Sequence, residues 1–313
     1  MNQATGDAVH IPVMLNEVIE ALGARSGGMF LDCTFGGGGH TRAILNANPD
    51  SCVVAIDRDS RAIERGRRWS SEYGSRLELI HTPFSGMVKA VSNTTFDGAL
   101  ADLGMSTDQL REGRGFSFAD QGALDMRMDE GLGNDTAAEF INKASEREIF
   151  IALAEGGVGK NARSIARTII FERPFASAKA LADAVKASQL GKRSESKTHP
   201  ATVVFQALRM KVNNELGEIK QLLEDAPCIV KKGGRLAAIT FHSIEDKVVT
   251  NCMRKWESAG SYPANWRGNR TEKRIGLVVN RKAIVPSDEE ILHNPAARSA
   301  RLRVFQFGSD FSK

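Results

Sequence analysis

Over the first hundred residues, short apolar runs alternate with polar joints in a pattern that predicts strands and helices in turn. Met29-Phe30-Leu31, Cys52 to Ile56, Leu77 to His81 and Gly98 to Ala101 are apolar segments of strand length. One helix is predicted to begin near His40, and another, with Asp59 and Ser60 in position to cap it, carries Ala62, Ile63 and Trp69. After Ala101 the strand pattern stops for about a hundred residues. Thr136 to Ile141, Glu146 to Ala154, Ala162 to Phe171 and Ala178 to Ala187 instead space their apolar residues three or four apart. A helix over Glu215 to Val230 and a strand, Leu236 to Phe241, then resume the alternation. The pattern predicts an α/β protein with a doubly wound sheet, occupying 1–109 and 214–313, and an inserted all-helical domain at 110–213. Ligands of open parallel sheets sit beyond the carboxyl ends of the strands, so an insertion leaving near Asp102 is expected to start at the ligand cleft and roof it.

Composition bounds the class without naming an activity. The 313 residues are 42% hydrophobic and 26% charged, the balance of a globular protein with a substantial core. There is no apolar run of the ~18 residues a membrane helix needs, and the start, Met1-Asn2-Gln3-Ala4-Thr5, lacks the basic and apolar segments of a signal peptide. A cytoplasmic protein without a membrane partner is expected. Cys33, Cys52, Cys228 and Cys252 lie far apart and the histidines show no ligand spacing, so no metal is called for. Charge is uneven. Residues 1–105 hold nine Lys/Arg against twelve Asp/Glu, 160–214 hold eleven against three, and 252–313 hold twelve against six. Two basic regions beside a near-neutral one point to a polyanion, most simply RNA, with a solvated surface as the plain alternative. Gly191 to His199 reads as a polar loop suited to phosphates.

The chemistry concentrates after the first strand, in Asp32-Cys33-Thr34-Phe35-Gly36-Gly37-Gly38-Gly39-His40. Consecutive glycines turn tightly and let a ligand lie against bare amides at a helix start, where the dipole favours negative charge. The dinucleotide fingerprint wants glycine at its first, third and sixth positions; counted from Gly36 the sixth is Thr41, which argues against a nicotinamide cofactor. Asp57 ends the second strand, where such a sheet places an acid to take both hydroxyls of a ribose; a helix cap is its alternative role. Phe84, after the third strand, offers a ring to adenine or a side chain to the core.

These blocks belong to a longer series: His10-Ile11-Pro12-Val13-Met14-Leu15, Ile56-Asp57-Arg58-Asp59, Asp102-Leu103-Gly104-Met105-Ser106, Arg114 to Phe118, Leu124-Asp125-Met126-Arg127-Met128, His199-Pro200-Ala201-Thr202, Phe205 to Arg209, Ile239 to Asp246 and Asn294 to Ala300. In this order, over nearly the whole chain, they resemble the RsmH (MraW) methyltransferases. That resemblance implies a class I methyltransferase (Rossmann-like) sheet and an S-adenosylmethionine-dependent enzyme that methylates the exocyclic amine of one cytidine in the decoding region of small-subunit (16S) ribosomal RNA. Its partner is then that RNA or the assembled small ribosomal subunit. Monomer and homodimer both agree with the sequence. The resemblance carries cofactor contacts to Gly38, Gly39 and His40 for the methionine end, Asp57 for ribose, Phe84 near adenine, and Asp102 and Gln109 beyond the fourth strand.

A cytosine amine is a poor nucleophile because its lone pair is delocalised into the ring, so methyl transfer profits from an acceptor for its proton and from in-line positioning. Asp102 is the candidate acceptor, with a pure cofactor contact as its alternative. His199, Arg209, His242, Ser243 and Arg298 are candidate substrate residues. Ser243 also qualifies as a helix N-cap, with Asp246 closing a box. The chain departs from the family pattern at Gly157-Val158-Gly159-Lys160, where two acids are expected before the Arg163-Ser164-Ile165-Ala166-Arg167 helix, and this touches substrate detail more than chemistry. A nicotinamide oxidoreductase, or an RNA-binding assembly factor keeping the pocket as a relic, are the competing classes.

Overall fold

A computed structural model of the chain describes residues 12–92, 94–105, 113–117, 122–188, 200–258 and 274–308. The chain forms two compact units, one made of Met1–Gly104 with Glu218–Lys313 and the other of Met105–Gly217.

The first unit is built on a seven-stranded sheet of β1 (Gly28–Asp32), β2 (Ser51–Asp57), β3 (Leu77–His81), β4 (Phe96–Asp102), β5 (Val230–Thr240), β6 (Gly276–Val278) and β7 (Arg301–Phe307). The spatial order is β3-β2-β1-β4-β5-β7-β6. β1 to β5 run parallel and β7 is antiparallel to both of its neighbours. This is the doubly wound class I methyltransferase arrangement, with its order reversing between β1 and β4, where such sheets open a crevice for ligands. The parallel strands are apolar on both faces, as helices on both sides demand. Phe30, Val53, Ala55, Leu100 and Ala237 face one core, with Val18, Leu22, Ile44 and Ile63 from α1 (Leu15–Leu22), α2 (Gly39–Ala47) and α3 (Ser60–Ser70). Leu31, Val54, Ile56, Ala99 and Ala238 face the other, with Leu222, Leu223, Val249 and Met253 from the two helices flanking β5, Glu215–Ile229 and Ser243–Glu257.

The second unit contains α4 (Ala137–Lys143), α5 (Glu146–Glu155), α6 (Ala162–Glu172), α7 (Ala178–Ser188) and α8 (Pro200–Val212), so that the helices flanking β5 are α9 and α10. Among the described residues it has no strand beyond a single bridge between Ala123 and Ser177. Capping boxes start α4, between Thr136 and Glu139, and α5, between Ser145 and Glu148, each satisfying two backbone donors the helix cannot. Ile141, Ile149, Leu153, Ile165, Ile169, Leu181, Val204 and Leu208 make a core of its own. The Leu124-to-Met128 block is structural: Asp125 takes two hydrogen bonds from the Arg127 guanidinium, at 2.7 and 2.8 Å, and buried Asn213 bridges Met126 and Met128 through their backbones.

Candidate active site

The glycine run is held in place by the strands around it. Beyond the end of β1, the Cys33 N–H donates to Leu100 O at 2.8 Å and the Phe35 N–H to Ile56 O at 3.0 Å, so the chain is clamped to both neighbouring strands before it turns outward. Gly38 then takes φ +77°, and a Cβ there would overlap the Trp69 ring and lie 2.9 Å from Phe35. Only glycine fits that position. α2 begins at the next residue.

Three carboxylates gather beside this turn. Asp32 is fully buried; its Oδ1 accepts from the Thr34 N–H at 3.0 Å and its Oδ2 from the Thr41 hydroxyl at 2.7 Å. Burial still raises its pKa above the usual carboxylate value. Asp57 accepts the Gly36 N–H on Oδ2 at 2.7 Å and the Asp59 N–H on Oδ1 at 2.8 Å. Burial pushes its carboxyl up to about 6, against the pull of those two bonds. The cap of α3 is Asp59, which accepts from the Arg61 N–H, and Asp57 is thereby excluded as that cap. Asp102 ends β4, and its N–H donates to the Thr34 hydroxyl oxygen at 2.7 Å. Its Oδ1 is buried with no hydrogen-bond partner among the described residues, and its Oδ2 lies 3.6 Å from His40 Nδ1. Burial pushes this carboxyl up to about 6 as well, with Asp32 and Glu245 adding to the rise and His40 opposing it. An unpaired buried acceptor is costly, and a donor from a ligand or an ordered water satisfies it.

Phe84 begins a short 3-10 turn after β3 and is half-buried against the core. His242 is the N-cap of α10 in a box with Glu245, whose buried carboxylate accepts from the Phe241 N–H at 3.0 Å. The box expected between Ser243 and Asp246 is thus displaced by one residue; Ser243 is the exposed first residue of the helix, and Asp246 is taken by arginine. The Arg303 guanidinium donates to both Asp246 oxygens, at 2.8 and 2.9 Å. Arg209 makes the same two-pronged contact with Glu215, at 2.7 and 2.9 Å, a partner the sequence spacing does not reveal. Arg298 is exposed on a 3-10 turn. Gln109 and His199 lie outside the described residues. Asp32 and His40 stand in the glycine motif and Glu245 in the block after the fifth strand; what the spacing does not show is that the His40 ring meets the Asp102 carboxylate.

A sequence profile of the MraW methylase family matches residues 7–308. The chain belongs to the MraW methylase family. It is 43% identical over 299 residues to the ribosomal RNA small subunit methyltransferase H of Cyanothece sp. (strain PCC 7425 / ATCC 29141), covering 95% of this chain and 94% of that one. The same-named protein of Granulibacter bethesdensis is 42% identical over 310 residues, covering 95% and 91%. A crystal structure of an rRNA methylase from Streptococcus thermophilus aligns with a TM-score of 0.40 at 11% identity, covering 94% of each chain. The methyl donor of such an enzyme, S-adenosylmethionine, suits the residues present: a glycine turn that a Cβ would fill, the Asp57 carboxylate beside it, and an orphaned buried acceptor on Asp102. At the two positions where the resemblance leads one to expect acids, Val158 packs against the helical core and Gly159, at φ +69°, faces open space.

Proposed function

We propose that this methylase transfers a methyl group from S-adenosylmethionine to the exocyclic amine of a cytidine in the decoding region of small-subunit (16S) ribosomal RNA. The observation that carries this reading is the unpartnered Oδ1 of Asp102, buried at the end of β4 beside the glycine turn. Support for the substrate comes from the relatives, which are named for small-subunit ribosomal RNA. The bound cofactor supplies an electrophilic methyl carbon on a sulfonium.

The chain's residues bind, orient and accept a proton. Asp57, its carboxylate fixed by two backbone N–H groups, takes the ribose hydroxyls. The amides of Gly38, Gly39 and His40 hold the methionine end, Phe84 lies against adenine, and Gln109 adds a cofactor contact. Asp102 accepts the proton that the cytosine nitrogen must shed as it gains a methyl group. His242, Ser243 and His199 orient the base, and exposed cations such as Arg298 and Arg163 contact phosphates. The cytidine must be unpaired or flipped out, because its amine is otherwise engaged in pairing.

Incubation with methyl-labelled S-adenosylmethionine and small ribosomal subunits from a strain lacking the modification tests this. Label recovered as an amino-methylated cytidine at one site of the RNA is the expected result. Subunit binding without transfer would favour the assembly-factor reading, and label on another base or on protein would overturn the substrate assignment.

A further inference from the structure

Asp102 as proton acceptor leaves its neighbour, His40, to be explained. The His40 ring is 5% exposed, and Nε2 lies 2.9 Å from the carbonyl oxygen of Val13. A carbonyl can only accept, so Nε2 carries a hydrogen and a neutral ring has none on Nδ1. Nδ1 is the atom that faces Oδ2 of Asp102, at 3.6 Å. A neutral ring beside an ionised Asp102 would set lone pair against lone pair. A proton on Nδ1 would make the contact with an ionised Asp102 attractive.

We propose that His40 is a positioning residue for Asp102: anchored through Nε2 to the Val13 carbonyl, it presents Nδ1 to Oδ2 and leaves Oδ1 as the acceptor for the base. This rests on the reading of Asp102 given above. The groups facing Asp102 make such a device necessary. Asp32 at the end of β1 and Glu245 in the first turn of α10 both disfavour a third negative charge there, and burial disfavours any charge. His40, in the first turn of α2, opposes all three and also acts on Asp32. Without it, the carboxyl would be pushed further above its ordinary value.

The test is a carbon-13 NMR titration of the Asp102 carboxyl in the ligand-free protein, assigned with Asp102→Asn, in the parent and in His40→Gln. Glutamine keeps an amide able to reach the Val13 carbonyl but has nothing at Nδ1. The titration midpoint should rise by roughly one pH unit or more, and the acid limb of the single-turnover rate at saturating S-adenosylmethionine should rise with it, the rate recovering at alkaline pH. His40→Asn, whose amide nitrogen sits near the Nδ1 position, should restore part of both shifts, and it decides the matter if the glutamine variant does not fold. An unmoved carboxyl midpoint, or a rate lost equally at every pH, overturns the inference and leaves His40 a packing residue. Failure of the parent enzyme to methylate at any pH would overturn the function proposed above, while the carboxyl titration would still decide the role of His40.

Discussion

The hydroxyl of Thr41 donates to Oδ2 of Asp32 at 2.7 Å, tying the first turn of α2 to the last residue of β1. Both side chains are fully buried, so the bond fixes the helix start and with it the glycine turn. Thr41→Val, which keeps the shape and removes the donor, leaves a buried carboxylate oxygen unmatched. The expected cost is about 1–3 kcal/mol of unfolding free energy, measured by urea denaturation, together with weaker S-adenosylmethionine binding.

The carboxyl of Asp102 is pushed up to about 6 from an ordinary value of 3.8. Between those pH values the folded protein binds more protons than the unfolded chain, so this group's contribution to stability is full in acid and is lost as pH rises through about 6. Asp102→Asn removes the ionisation and the repulsion from Asp32 and Glu245. Thermal denaturation of the ligand-free protein should therefore show the variant more stable than the parent at pH 8, with a flatter pH profile between 4 and 7, while methyl transfer is lost. A parent-like pH profile in the variant would show that Asp102 ionises without penalty.

Gly38→Ala meets the Trp69 and Phe35 rings from a backbone at φ +77°. Left-handed backbone alone costs an L-residue about 1–2 kcal/mol, and the overlap adds to it. Calorimetry should find cofactor affinity lowered by at least about tenfold, the equivalent of roughly 1.4 kcal/mol, with the melting temperature also reduced.

Arg303 and Arg298 stand five residues apart and should behave differently. Burial works against the Asp246 charge, yet Arg303 and Arg301 hold its carboxyl below the usual range. Arg303→Ala should destabilise by about 2 kcal/mol at pH 7, because it takes two charge-assisted hydrogen bonds from a largely buried carboxylate and leaves it the longer Arg301 contact, and that loss should fade as pH falls and Asp246 protonates. Arg298→Ala, on an exposed turn, should leave the melting temperature unchanged and reduce the salt slope of RNA binding by about one.

The sheet was legible because its parallel strands are continuous apolar runs of the right length and its helices have the 3.6 period. The edge was not. β6 has only three residues, and β7 interleaves Arg301 and Arg303 with Leu302 and Val304, so charge conceals a strand whose arginines are spent on Asp246. α8 escaped because Ala201 to Val212 is apolar on much of its circumference, being wrapped by its own helical core. Within the site, Asp57 and Asp102 could be placed by their positions at strand ends. Asp32 looked like the opening of a loop motif, and the ring of His40 like one more residue of it, since only tertiary contact brings Val13 and Asp102 to its two nitrogens. The two-pronged pairing of Arg209 with Glu215 likewise needs a turn between α8 and α9 that the spacing does not encode.

A cofactor site in the crevice between β1, β2 and β4 underlies every role proposed above. Isothermal titration of S-adenosylmethionine and of a nicotinamide dinucleotide into the parent protein and into Asp57→Ala tests it directly. The parent should bind S-adenosylmethionine and ignore the dinucleotide, and the variant should lose at least about tenfold in affinity, roughly 1.4 kcal/mol, while remaining folded. Equal binding of S-adenosylmethionine by both proteins, or a preference for the dinucleotide, would contradict it.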